Sequence, residues 1–290
     1  MSFIDLHTHS NASDGALSPS ELVLMALKSG LSAIAIADHD TLEGQPEALA
    51  AGEELGIRVI PAIELSVDNE DGSLHLLAYG IDHDNSDLEQ ALVTLRESRM
   101  ERNGKIIERL NEMGYSINLK DVLELSPTGT VGRAHIGQAL VNSGQMPSMS
   151  EAFDQLLTRG GPAYFDRYRL KLWDAVPLIH TAGGAAVWAH PGLHGEERLD
   201  VLLTRLPKWK EYGLDGIESD YRDHSIELRD RLRSMAKIHG LIYTGGSDFH
   251  GSIKPENRLG EGAAGRPIDI SRLEALDEVI ALNKLKYLTK

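Results

Sequence analysis

Cysteine is absent from all 290 residues. That excludes disulfides, thiolate nucleophiles and cysteine-type zinc sites, so any metal must be held by nitrogen and oxygen donors. Long apolar runs are also missing: nothing approaches the roughly 18 residues that would cross a bilayer. The opening Met1–Asp5 has no basic segment leading into an apolar one, so neither a membrane span nor a secretory leader is expected, and the expected location is cytoplasmic. Positive charge is scarce, because 29 Lys and Arg face 44 Asp and Glu for a formal net charge of −15. Affinity for long nucleic acids comes largely from Lys and Arg releasing counterions from phosphates, so long DNA is not an expected partner. A small phosphorylated substrate needs only a few local cations, or metals that reverse the local field. There are no internal repeats and no low-complexity segments.

What is present is an ordinary globular balance, 41% hydrophobic and 25% charged, arranged as short apolar runs alternating with helical patterns. Such alternation is the mark of βαβ units and a parallel sheet. Strands are predicted at Phe3–His7, Ala33–Ala37, Arg58–Ile63, Leu74–Tyr79, Ala185–Ala189, Asp215–Ser219 and Leu241–Thr244. Ser18, Pro19 and Glu21 predict a capped helix reaching Lys28 and closed by Gly30. Pro177 and Pro207 fall inside helical patterns and predict a kink or a fresh start at each. Between the fourth and fifth strands the pattern changes. Asn85–Met113 reads as one long helix, followed by short helices near Leu119, Ile136 and Ala152. The expected architecture is therefore α/β, a seven-stranded (β/α)7 barrel formed by residues 1–97 and 170–290, with an all-helical insertion at 98–169.

The strand ends carry the chemistry. His7 and His9 alternate along one strand, so they point the same way and can share a cation. Asp14 follows in the loop. The next strands end in Asp38-His39-Asp40 and Ile63-Glu64-Leu65, the fourth carries His75, and later ones finish in Ala189-His190-Pro191 and Gly246-Ser247-Asp248-Phe249-His250. Each motif alone is weak, since a lone histidine is more often packed or at the surface. In a barrel whose parallel strands all end at one rim, however, they converge. Such a crowd of carboxylates would repel unless divalent cations compensated it.

Taken together these motifs resemble the PHP family, the polymerase and histidinol phosphatase domain of the amidohydrolase superfamily. The resemblance covers about residues 1–83 and 170–290, and it implies a distorted seven-stranded barrel with a trinuclear centre. By position it implies a first metal on His7, His9, Glu64 and Asp248, with Glu64 bridging to a second on His75 and His190, and a third on Asp14, His39 and His250. Some relatives have a histidine where this chain has Asp14. Manganese is the expected metal, with iron and zinc as alternatives; the ligand chemistry suits all three.

The helical interruption resembles the stand-alone members of the family, those acting on 3′,5′-nucleoside bisphosphates above all. The implied reaction is hydrolysis of the 3′-phosphate, by a hydroxide shared between cations about 3.5–4 Å apart. Short RNA, cyclic nucleotides, histidinol phosphate, a C–N bond, and a noncatalytic metal-binding role stand as alternatives. Independently of the family, Arg99 and Arg102 occupy the apolar stripe Leu88, Leu92, Leu95, Ile106, Leu110 and Met113 of the long helix, with Asn103 beside them. They are expected to face the barrel mouth and meet a phosphate. Arg133 and His135 follow the glycine-bearing run Thr128–Gly132 at a helix start, where free amides also favour anions. His180, His194, His224 and His239 read as surface or supporting residues.

Overall fold

A computed structural model of the chain describes residues 2–125 and 131–287. The first half realises the alternation: β1 (Phe3–Thr8), α1 (Pro19–Lys28), β2 (Leu31–Ile36), α2 (Gln45–Leu55) and β3 (Arg58–Asn69). β1, β2 and β3 lie side by side and parallel, and their near-continuous burial reflects cover on both faces. α1 opens on the expected capping box, with Ser18 and Glu21 each bonding the other's backbone N–H. α2 closes on Gly56 at φ 71°, a left-handed position that glycine adopts without strain. At the start of α2, Gln45 donates to the carbonyls of Ile36 and Ala62, 2.8 Å each, tying the ends of β2 and β3 together.

β4 (Gly72–Tyr79) departs from the expected all-parallel arrangement. It pairs antiparallel with β3, Ser66 opposite His75 and Asn69 opposite Gly72. The third strand does not stop near Leu65 but runs on to Asn69 and turns back through Glu70 and Asp71. A two-residue link can make only a hairpin, because a parallel return needs a dozen or more residues. The Asp71-Gly72 pair, with Gly72 at φ 113°, is the local signal for that turn. The reversal matters for the site, since β4 begins at the rim where β3 ends and His75 therefore still reaches it.

The insertion follows as α3 (Ser86–Glu112), α4 (Leu119–Leu123), α5 (Arg133–Asn142) and α6 (Met149–Ala152). The chain then returns through β5 (Leu170–Lys171), α7 (Leu172–Thr181), β6 (Ala185–Trp188), α8 (Glu196–Leu203), α9 (Leu206–Tyr212), β7 (Gly216–Tyr221), α10 (Ile226–Ile238), β8 (Ile242–Gly246), β9 (Ile268–Asp269) and α11 (Ser271–Tyr287). Pro207 sits at the start of α9, whereas Pro177 is carried within α7. The strands order as β8-β7-β6-β4-β3-β2-β1-β9, with β5 on β3. The seven predicted strands are all there, and β5 and β9 add two residues each. The sheet curls until its ends meet: Asp248 N donates to His7 O and His9 N to Phe249 O, at 2.8 and 2.9 Å.

α3 serves two cores. Its first turns pack Leu88, Leu92 and Leu95 against barrel residues such as Trp188 and Leu172. Its last turns place Ile106, Ile107 and Leu110 with Ile136, Leu140 and Leu157 of the insertion. Arg99, Arg102 and Asn103 are buried on the stretch between them. The polar break in the apolar stripe thus marks the seam between two hydrophobic clusters. Among the described residues no helix is long and apolar enough to cross a membrane.

Candidate metal centre and anion pocket

The rim collects all nine of the predicted ligands. Glu64 lies at the centre. Its Oε1 is 2.8 Å from both His75 Nδ1 and His190 Nε2, and its Oε2 is 3.3 Å from His7 Nε2 and 3.2 Å from both His9 Nε2 and His39 Nδ1. Asp248 Oδ1 stands 3.2 Å from His9 Nε2, while Asp14 Oδ1 stands 3.3 Å from His250 Nε2 and 3.6 Å from His9 Nδ1. Backbone pairing holds Glu64 there, because its N–H donates to Asp38 O and its carbonyl accepts from Asp40 N. Three non-glycine residues with positive φ, Asp40 (54°), His190 (31°) and Asp248 (53°), sit just past strand ends on this rim. Such sparsely populated conformations persist where surrounding structure over-determines them, and they cluster at functional sites.

These residues fit divalent cations. Two donors each about 2.1 Å from one ion and 90–110° apart are separated by about 3.0–3.4 Å, which is the spacing seen here. His9, Asp14, His39 and His250 form one group with ligand atoms within 4.8 Å of one another; His7, His9 and Asp248 form a second, and His39, Glu64 and His75 a third. His7 Nε2, both ring nitrogens of His9, His39 Nδ1 and His250 Nε2 are buried without a hydrogen-bond partner. Each buried polar atom left unpaired costs about 1–3 kcal/mol, so several in one cluster suit ligands of a divalent cation.

A layer of supporting groups aims these ligands. Glu218 of β7 is fully buried; it stands 3.0 Å from His7 Nδ1 and accepts from His190 N at 2.7 Å. That leaves His7 Nε2 free to face Glu64. Asp5 accepts from the backbone N–H of His7, Ser247 and Gly260 and from the Ser247 hydroxyl, stitching β1 to the end of β8. Asp38 accepts from Ser10 N, Ser10 Oγ and Ser13 Oγ, shaping the loop that presents Asp14. Lys254 and Tyr221 both donate to Asp248 Oδ2, at 2.9 and 3.2 Å, so Oδ1 is the oxygen turned toward His9. Carboxylates that orient a ligating imidazole typically contribute 10–100-fold in metal affinity. Glu218→Gln should therefore weaken metal binding by about 10–100-fold, as read by metal titration followed with calorimetry, while the fold survives in circular dichroism.

Electrostatics set a pH dependence. Burial alone would lower the His7 pKa, but Glu218 and Glu64 outweigh it and raise it well above 6.5. His9, likewise buried, is raised to about 9 by Asp248, Glu64 and Asp14. His39 goes the other way: burial lowers it to about 3 despite Glu64 and Asp14, so it is neutral at pH 7. Burial would raise Asp14, Glu64 and Asp248, yet neighbouring imidazoles, and Lys254 at Asp248, hold them well below the carboxylate range. A cation entering at neutral pH must displace protons from His7 and His9. Metal affinity should rise with pH up to about 9, with proton release visible as a buffer-dependent binding enthalpy. The linked stability runs oppositely in metal-free protein. A raised histidine pKa stabilises fully below the unfolded value near 6.5 and is lost as pH climbs through about 9. The melting-temperature gap between loaded and stripped protein should accordingly widen across that window; a constant gap would refute the assignment.

Beside the cage lies a cavity lined by Asp14, His39 and His75 on one side and by Arg99, Arg102, Arg133, Arg167 and Arg169 on the other. Five guanidinium groups converge in a chain of net charge −15. Asp40 takes two of them, Arg99 and, at 2.8 Å, Arg167; burial would raise its pKa, but these cations hold it below the usual range. Arg102 has no acid. Its Nε donates to Asn103 Oδ1 at 3.1 Å, and burial together with Arg99, Arg167, Arg133 and Arg169 lowers its pKa to about 8. Arg133 donates to Leu157 O and lies over the rings of Tyr164 and Phe153. His135 lines the cavity, its Nδ1 accepting from Gly132 N, and burial lowers its pKa.

Of the predicted anion contacts, Arg99, Arg102, Arg133 and His135 line this cavity, and Asn103 does not. Its amide is spent on Arg102 and on the Val131 carbonyl at 2.9 Å, so it braces the arginine from behind. Residues 128–130 of the glycine-bearing run lie outside the described residues. Arg167 and Arg169 were not among the predicted anion contacts, although the Arg-Tyr-Arg run at the end of the insertion was a signal. Lys254 and Tyr221, for which no local signal exists, were also not predicted, nor was Glu218, although it lies near the end of the predicted strand Asp215–Ser219. His224 is fixed between Ser219 O and Gly192 N, supporting the turn after His190, and His180 pairs with Asp215 at 2.9 Å.

Comparison with known proteins agrees with this picture. A family model described as "PHP domain" matches residues 5–165. A 3′,5′-nucleoside bisphosphate phosphatase of Chromobacterium violaceum is 35% identical over 86% of this chain and 88% of its own. A 5′-3′ exoribonuclease of Haemophilus influenzae is 33% identical over 85% and 89%. A solved structure from Bifidobacterium adolescentis, assigned as a metal-dependent phosphoesterase, superposes with a TM-score of 0.86 at 34% identity over 95% of both chains. With the barrel, the ligand cage and these matches in agreement, this chain belongs to the PHP domain family of metal-dependent phosphoesterases.

Proposed function

We propose that this chain hydrolyses the 3′-phosphate of 3′,5′-nucleoside bisphosphates, and that manganese is its working metal. The observation that carries the reading is one cavity lined both by residues of the cage, Asp14, His39 and His75, and by the arginine cluster, so that with cations bound it offers two places for an anion. A substrate with one phosphate fills one place; a bisphosphate fills both. The name of the C. violaceum relative supports the same substrate class.

His7, His9, Glu64 and Asp248 are positioned for a first cation, Glu64, His75 and His190 for a second, and Asp14, His39 and His250 for a third. When bound, such ions supply an activated water and stabilise charge on the phosphate oxygens. The chain's own residues then do the rest. Arg99, Arg102 and Arg133 hold the uncleaved 5′-phosphate through charge-assisted hydrogen bonds, which orients the ribose and presents the 3′-phosphate to the cage. His135, neutral at pH 7, donates its remaining ring N–H without adding charge. Arg167 and Arg99 share the buried carboxylate of Asp40, which fixes both guanidinium groups at the edge of the cavity.

The domain roles follow: residues 1–97 and 170–290 hold the metals, and 98–169 hold the substrate. The exoribonuclease relative names the rival substrate, short RNA bearing a 5′-phosphate. A screen of manganese-loaded protein separates them. Inorganic phosphate and AMP should appear from adenosine 3′,5′-bisphosphate, far faster than mononucleotides from a 5′-phosphorylated oligoribonucleotide. The reverse order would transfer the assignment to RNA, and no metal-stimulated release from either would leave a noncatalytic metal module.

A further inference from the structure

Behind the arginine wall is a second cavity, lined by Ser98, Glu101, Arg102, Lys105, Asp166, Arg167 and Tyr168. Arg102 and Arg167 line both cavities, so these two residues lie where the cavities adjoin. Arg102 is only 5% exposed, and among the described residues its one hydrogen bond uses Nε. Its two terminal amino groups, four N–H donors in a rigid plane, have no acceptor among the described residues. A buried guanidinium crowded by four others, with neither end of its fork taken by a described residue, is built to take acceptors from two sides.

The far side is prepared for charge. Lys105 lies one turn beyond Glu101 on α3, and its ammonium reaches Glu101 Oε1 at 2.6 Å. Both side chains are more than half exposed, so that pair is weak in water and open to exchange. Tyr168 is pinned through its backbone N–H to Ser98 Oγ at 2.8 Å, while its side chain stands 52% exposed and closes the outer edge. Three cations and two acids thus line a cavity that begins where a phosphate held by Arg102 would end.

We propose that this second cavity is a subsite for a further phosphate attached to the uncleaved one, so that the chain also takes nucleoside 3′-phosphates carrying a 5′-diphosphate. This rests on the reading that the arginine cluster holds the 5′-phosphate. The α-phosphate occupies the first cavity, the β-phosphate passes to the other face of Arg102, and Lys105 swings from Glu101 to meet it. Chemistry at the 3′ position is unchanged: water adds to phosphorus, the 3′-oxygen leaves and takes a proton, and a nucleoside 5′-diphosphate is released.

The test uses manganese-loaded protein with AMP and ADP as probes in calorimetry, then turnover of the two 3′-phosphorylated counterparts. Wild type should bind ADP about tenfold more tightly than AMP. Lys105→Ala should erase that advantage while AMP affinity stays within about twofold, and Glu101→Gln, which frees the ammonium, should enlarge it. In turnover, Lys105→Ala should raise KM for the 5′-diphosphate substrate alone and leave kcat unchanged. An ADP advantage that survives Lys105→Ala would overturn the subsite, since the β-phosphate would then lie elsewhere, as would equal affinities in wild type. The binding arm does not depend on hydrolysis: if 3′-phosphate release fails but the Lys105-dependent ADP preference holds, the proposed reaction falls and the subsite stands.

Discussion

Glu64→Gln should cut phosphate release by about 10³-fold or more, the scale expected when activated water and charge stabilisation are both lost. Among the described residues no other carboxylate meets so many imidazoles: His75 and His190 meet one oxygen, and His7, His9 and His39 meet the other. An amide keeps the shape but replaces one oxygen with a donor and removes the charge that balances two cations. Metal analysis of the purified variant should show fewer ions per chain alongside the lost activity. His75→Ala offers the complementary case, since it removes one ligand of one cation only and the ions nearer Asp14 should remain. Preserved turnover in both variants would remove the cage from the chemistry.

Arg102→Met should lower kcat/KM for a nucleoside 3′,5′-bisphosphate by about 10²-fold, the worth of a buried charge-assisted pair, and change that for a 3′-monophosphate by less than about threefold. Methionine keeps the aliphatic stem that packs on α3, so the loss reports on the guanidinium. Stability gives an independent readout of opposite sign. Arg102 is held among Arg99, Arg133, Arg167 and Arg169 with no ion-paired acid among the described residues, and removing one of five like charges relieves repulsion. In anion-free buffer the variant should melt no lower than wild type, whereas added AMP should stabilise wild type more. Equal losses on both substrates would mean that Arg102 supports the fold or the cage and does not read the second phosphate.

The legibility of this protein was uneven in a physically sensible way. The nine candidate ligands were readable because metal chemistry restricts residue type, and strand ends restrict position. α3 was readable over its full length, because a 27-residue amphipathic pattern capped by Asn85 leaves little room for another reading. β4 was located correctly but its direction was not, since burial and strand propensity do not encode polarity; only the Asp71-Gly72 turn does. Asn103 shows the limit of helix-face reasoning. Adjacent to Arg102, it looked like a second phosphate contact, and tertiary packing turned it toward Val131 instead.

As a bare string the chain already carried its family, its alternating barrel and the identity of the donors that meet at the rim. Those are matters of local pattern and residue chemistry, which neighbours along the chain impose. Folding decided what lies across space: Glu218 behind His7, Lys254 and Tyr221 on one oxygen of Asp248, and Arg167 brought from beyond the insertion to share Asp40 with Arg99. A buried charge takes its role from the partner that neutralises it. When that partner is 211 residues away, as Glu218 is from His7, only the closed sheet can supply it.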